Sequence, residues 1–145
     1  LGDGLSAGLE EVLNDHSGTP AAARAAFQLG IMHRDAARFD EAVEAFSQAG
    51  FSDDVFGPLV DANLGDCYVE LGDLEAAQSH FASAASAAGA GLAANALAPM
   101  CAYKQALVLI ELGNTSKAQR VLEDLASDYP NSTYASSATG LAASL

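Results

Sequence analysis

Tryptophan is absent from this 145-residue chain and aromatic side chains make up only 7% of it, so the hydrophobic 50% is mostly alanine and leucine. Bulky strand formers are too sparse to build a sheet core, whereas alanine and leucine lose little freedom on entering a helix. Cysteine is nearly missing: Cys67 and Cys101 are too few for a disulfide framework or a cysteine-held metal. Both are expected as small buried hydrophobes, although their places on neighbouring helices leave a disulfide geometrically conceivable. Basic residues are scarce too, with Arg24, Arg34, Arg38, Lys104, Lys117 and Arg120 facing nineteen acids for a formal charge of −13. Such a chain repels nucleic acid and anionic membrane surfaces. Its acidity fits either a well-solvated surface or a groove that attracts a basic peptide. No apolar run nears the roughly 18 residues that cross a bilayer. Membrane attachment is expected only through an anchor upstream of Leu1, where the missing methionine suggests trimming or processing.

What the chain does have is internal repetition within a length suited to one domain. Three segments align: Ala26, Leu29, Gly30, His33, Phe39, Ala42 and Phe46; Leu64, Gly65, Tyr68, Gly72, Leu74, Ala77 and Phe81; Ala102, Ala106, Leu109, Gly113, Ala118, Leu122 and Leu125. Gly72 and Gly113 stand where a first helix must stop and reverse, a place that favours left-handed backbone. Ala37 replaces glycine in the first set and predicts a turn of slightly different geometry. Ala42, Ala77 and Ala118 supply the small residue needed where two helices cross closely. Phe46, Phe81 and Leu122 then fill the space beside each crossing. Asp40, Asp73 and Asn114 are candidate N-caps of second helices, while Pro20, Pro58 and Pro99 fall near the starts of first helices.

The spacing is 35 residues from Ala37 to Gly72 but 41 from Gly72 to Gly113, the surplus lying in the small-residue stretch 82–98. Lengthened helices or a flexible connection are expected there. Leu5 to Leu13 has helical apolar spacing and predicts a leading helix over about residues 5–15. Asn131 and Ser132 offer a cap for a last helix over 132–145, which would close the stack.

These residues resemble the tetratricopeptide repeat family over roughly residues 20–145. Leu29-Gly30 and Leu64-Gly65 look like its Leu-Gly pair, and Ala42, Ala77 and Ala118 like its small second-helix residue. The resemblance implies an all-α solenoid of about three helix pairs, near 20–51, 57–88 and 95–129, in a single domain. Tyr129-Pro130-Asn131-Ser132 and the trailing helix are similar to bacterial envelope members that accompany the Sec translocon or outer-membrane assembly factors. That likeness implies a periplasmic or membrane-anchored setting, with a cytoplasmic one as the alternative.

Sites for chemistry are weak. Gly89 to Ala94 matches a dinucleotide fingerprint, but the fingerprint needs a preceding strand and the residues before Gly89 predict helix. His16, His33 and His80 are scattered over different elements with no ligand spacing, and His33 is expected to be partly buried. Asp53, Asp54 and Asp61 lack the glycine and closing glutamate of a calcium loop and are expected as solvated helix-start charges. Asn114-Thr115-Ser116 and Asn131-Ser132-Thr133 satisfy the glycosylation sequon, yet capping accounts for them equally well. No nucleophile elbow is present. No enzymatic activity, metal or cofactor is therefore expected.

The resembled family binds along its first helices. Carried over, that geometry implies a peptide groove lined by Arg24, Phe27, Ile31 and Arg34, then Leu59, Asp66 and Val69, then Met100, Tyr103 and Leu107, with Ala62, Ile110 and the acids Asp35, Glu70 and Glu111 among them. The Lys and Asn of a carboxylate clamp are replaced by Phe27 and Ile31. The expected role is a protein-interaction scaffold for a helix or extended peptide. Loss of Phe27 or Tyr103 is expected to weaken capture without altering melting. Two other readings stay open: Leu107 and Ile110 as core beneath the last helix, and a self-assembling homo-oligomer in place of a peptide binder.

Overall fold

The computed structural model describes residues 2–50, 56–88 and 94–145. Among them are eight helices and no strand: α1 (Gly2–Asp15), α2 (Pro20–Asp35), α3 (Phe39–Ser47), α4 (Phe56–Leu71), α5 (Leu74–Ala87), α6 (Ala94–Glu111), α7 (Thr115–Asp128) and α8 (Ala135–Ser144). The chain is all-α, as its composition requires. It divides into two compact units, Leu1–Ser52 and Asp53–Leu145. In the first, α1 packs on α2 and α2 on α3; in the second, α4 to α8 each pack on the next in solenoid fashion.

One turn is used three times. After α4, Gly72 N–H donates to Val69 O and Asp73 N–H to Tyr68 O; after α6, Gly113 and Asn114 repeat this on Ile110 and Leu109. This paired closure satisfies carbonyls that a helix end would otherwise leave open, and it needs left-handed backbone at its pivot. Gly72 and Gly113 supply φ of 79° and 76°. Ala37 was expected to alter the turn, yet it takes φ 57° and makes the same pair of bonds, Ala37 N–H to Arg34 O and Arg38 N–H to His33 O. The closure and the packing on either side of it hold alanine in a conformation that opposes its Cβ.

The glycines inside the first helices serve contact. A Cβ on Gly30 would lie 2.5 Å from the Phe46 ring, and one on Gly65 would lie 2.6 Å from Phe81. Both rings are buried, Phe46 at 0% and Phe81 at 1% exposure, so each glycine is the floor on which a second-helix phenylalanine rests. In the third hairpin Ala106 and Leu122 stand at the same separation and share one buried cluster with Leu109, Ala118 and Leu125.

The caps are mixed. Asp73 accepts from Ala76 N–H at 3.1 Å, and Thr19, ahead of Pro20, accepts from Ala22 N–H at 3.2 Å. Asn114 holds the N-cap position without a side-chain bond, and Asp40 lies inside the first turn of α3, whose N-cap is Arg38. Ser132 accepts from Tyr134 N–H at 3.3 Å and so closes a turn three residues ahead of α8 instead of capping it. Pro20 opens α2 and Pro58 sits in the first turn of α4, but Pro99 is inside α6. Without an N–H, Pro99 leaves the carbonyl of Asn95 without its intrahelical donor. Helix α8 packs on α7 through Ala135, Ala138 and Ala142. Cys67 and Cys101 are buried and not joined to one another.

Candidate functional site

Within the unit 53–145, α5 lies between α4 and α6, so these two first helices run the same way and touch. Their common face carries five of the ten groove residues expected from sequence. Leu59 and Met100 are half-buried against a core cluster of Ala62, Leu97, Ala98 and Cys101. Further along, Lys104 Nζ donates to both oxygens of Asp66 at 2.7 and 2.9 Å and sits 5.6 Å from the centre of the Phe81 ring. The pair joins α4 to α6 while both side chains keep contact with solvent, so about 0–1 kcal/mol is the appropriate scale for it. One turn beyond, Val69 and Leu107 are 39% and 42% exposed; Leu5, Phe56, Leu71 and Leu145 are exposed elsewhere. Exposed Glu70 and Glu111 follow.

Other expected groove residues are committed elsewhere. Tyr103 packs on Tyr134 with ring centres 5.4 Å apart, and with Ile110 it borders the cluster beneath α8. Ala62 is core at 4% exposure. Leu107, the other residue for which core burial stayed open, remains exposed. In the unit 1–52, Arg24 is exposed on α2, Ile31 is half-buried, and Phe27 meets Phe46 edge-on at 5.8 Å. Arg34 is drawn to Asp35 at 2.8 Å.

Sequence reasoning missed Lys104, whose signal was its place one turn before Leu107. It also missed a partner for His80. Asp61 was expected as a solvated helix-start charge, but Asp61 Oδ1 lies 2.9 Å from His80 Nδ1, while Ser83 Oγ donates to Asp61 Oδ2 at 2.7 Å. Tyr68 stacks on the imidazole at 5.3 Å. The carboxylate occupies the centre of this group, so Ser83 is bonded to the acid instead of to a histidine base, unlike a nucleophilic triad. It fastens α4 to α5. His33, 14% exposed in its side chain, lies between Arg38 and Glu41, with Glu41 Oε2 3.3 Å from Nδ1.

Burial pushes the Cys101 thiol up to about 11, with the nearby Lys104 charge pulling the other way and Asp66 and Asp61 adding to the rise. The group is therefore a protonated core side chain and a poor nucleophile at neutral pH. Among the described residues, no three His, Cys, Asp or Glu side chains group as a metal site would require. No helix there is long and apolar enough to cross a membrane. Asp53, Asp54 and the fingerprint residues Gly89 to Ala93 lie outside the described residues, although α5 ahead of the latter is helix where a nucleotide fingerprint needs strand.

No curated protein matches the chain in a sequence comparison. A family model does match, over residues 2–141, described as "T7SS, ESX-1 secretion system protein EccA1, N-terminal domain". That span takes in all the helical hairpins set out above, and the chain belongs to the family of EccA1 N-terminal domains.

Proposed function

We propose that the chain is a non-catalytic protein-interaction module of the tetratricopeptide type that serves a secretion system by holding a helical or extended segment of a partner protein on its first helices. The observation that carries this is the α4–α6 face, where Val69 and Leu107 stand exposed beside the Asp66–Lys104 pair and ahead of Glu70 and Glu111. Apolar anchors with an acidic border suit an amphipathic segment whose polar side is basic. Membership in a family named for a secretion-system protein supports the setting.

Phe27 and Tyr103 are poor probes of this reading, because each packs on another ring and its loss would disturb folding as well as binding. Val69→Gln and Leu107→Gln remove the apolar anchors without adding an acid near a helix C-terminus, and should leave melting nearly unchanged. In a host whose ESX-1 secretion depends on the protein carrying this domain, the double variant is expected to lower secretion and co-purification of partners by about tenfold. Full secretion by a stably expressed double variant would sink the proposal. Conversion of a wild-type dimer to monomer by the same changes would favour the self-assembly reading.

A further inference from the structure

The turn that follows α7 borders a half-open pocket of about 290 Å³ lined by Asn95, Asp128, Tyr129, Pro130, Asn131 and Ser132. Two locally unfavourable choices meet there. Pro99 sits inside α6, against helix propensity, and deprives the carbonyl of Asn95 of its donor. Asp128 ends α7, where the helix already presents the negative end of its dipole, and the last turn carries no basic residue to offset it. A sequence tolerates such placements where a site repays them. Half-buried Tyr129, packed against the cluster around Leu97, Ala98 and Cys101, anchors the turn.

The polar groups of the lining residues are a carboxylate, two side-chain amides and hydroxyls, of which the carboxylate is an acceptor alone. The lining includes no Lys, Arg or His. An anion would meet the Asp128 carboxylate with no cationic side chain to offset it, and an apolar group would leave the amides without partners. The size suits one side chain, since small-molecule sites start at about 300 Å³ and run upward. We propose that this pocket binds a guanidinium group, whose five N–H donors in a plane and lack of any acceptor complement such a wall better than an ammonium does. The site is separate from the α4–α6 face and stands without it.

The test is a chemical-shift titration of the isotope-labelled chain with ethylguanidinium chloride, ethylammonium chloride and the blocked tripeptide acetyl-Gly-Arg-Gly-amide. Saturable shifts are expected at Asn95, Asn131 and Ser132, with ethylguanidinium at least about threefold tighter than ethylammonium. Tighter binding of the tripeptide would assign the occupant to a partner's arginine, and tighter binding of ethylguanidinium to a free small guanidine. Asp128→Asn should weaken binding about tenfold while leaving Tm equal or higher, since it removes an acid from a helix C-terminus. Glu75→Gln, exposed on α5, should change nothing. Shifts that never saturate, that spread across the acidic surface, or that survive Asp128→Asn would overturn the proposal.

Discussion

The α4–α5 and α6–α7 hairpins solve one packing problem in two ways. In the first, Gly65 offers no side chain and the ring of Phe81 lies directly on its backbone. In the second, Ala106 adds a methyl and Leu122 takes the ring's place, with both buried at 0%. What is held constant is the filled volume at the crossing, and the identities of the two residues change together to keep it. The α2–α3 hairpin repeats the ring-on-glycine solution with Gly30 and Phe46.

The sharpest way to break this comparison is to mix the two solutions. Gly65→Ala places a Cβ against Phe81, and overpacking of that kind costs about 1–3 kcal/mol before helix propensity returns roughly 1. With the approach as close as 2.6 Å to a buried ring, the upper end of that range is expected. Adding Phe81→Leu should recover more than half of the loss, a coupling that urea denaturation of the full double-mutant cycle would measure. Strictly additive losses would show that the pairing is coincidence.

Alkali probes the thiol that fills the core beside α6. Cys101 titrates at about 11 in the fold against 9.0 when exposed, so the folded state keeps a proton that the unfolded chain gives up. Its contribution is whole below pH 9 and is lost as the pH climbs toward 11. By about pH 10.5 the loss should reach about 2 kcal/mol. Cys101→Ala should flatten that part of the stability curve, and an equally steep fall in the variant would assign the alkaline loss to other groups. The smallest effect concerns the turns. Ala37→Gly relieves left-handed strain and should raise stability by about 0.5–1 kcal/mol, whereas Gly72→Ala should lower it by a similar amount. A thermal melt that ranks them the other way would contradict the shared turn.

Much of this was legible beforehand because repetition displays packing in one dimension. Gly72, Gly113, Ala77, Phe81 and Leu122 recur in register, and register carries over to three dimensions when each helix packs on the next. The reason Gly65 is glycine was visible only as a pattern, since contact with Phe81 depends on the crossing of the helices. The candidate site was harder to see. The Asp66–Lys104 and Asp61–His80 contacts join different helices, so no local spacing announces them. Tyr103 falls at a groove position of the repeat pattern, but its ring packs on Tyr134 from beyond α7, a contact that no local spacing announces. Pro99 stands five residues beyond the start of α6 at Ala94, a start that lies within a residue of the repeat boundary the spacing gives, so the proline falls inside the helix instead of in its opening turn.

In the unit 53–145 each helix rests on its immediate neighbours, with α4 against α6 as a next-nearest contact. An arrangement of that kind is modular in the engineer's sense: a disturbance is felt one or two helices away and then fades. A chain so built can gain or shed a hairpin at its margin, or diversify one face, without renegotiating the remainder.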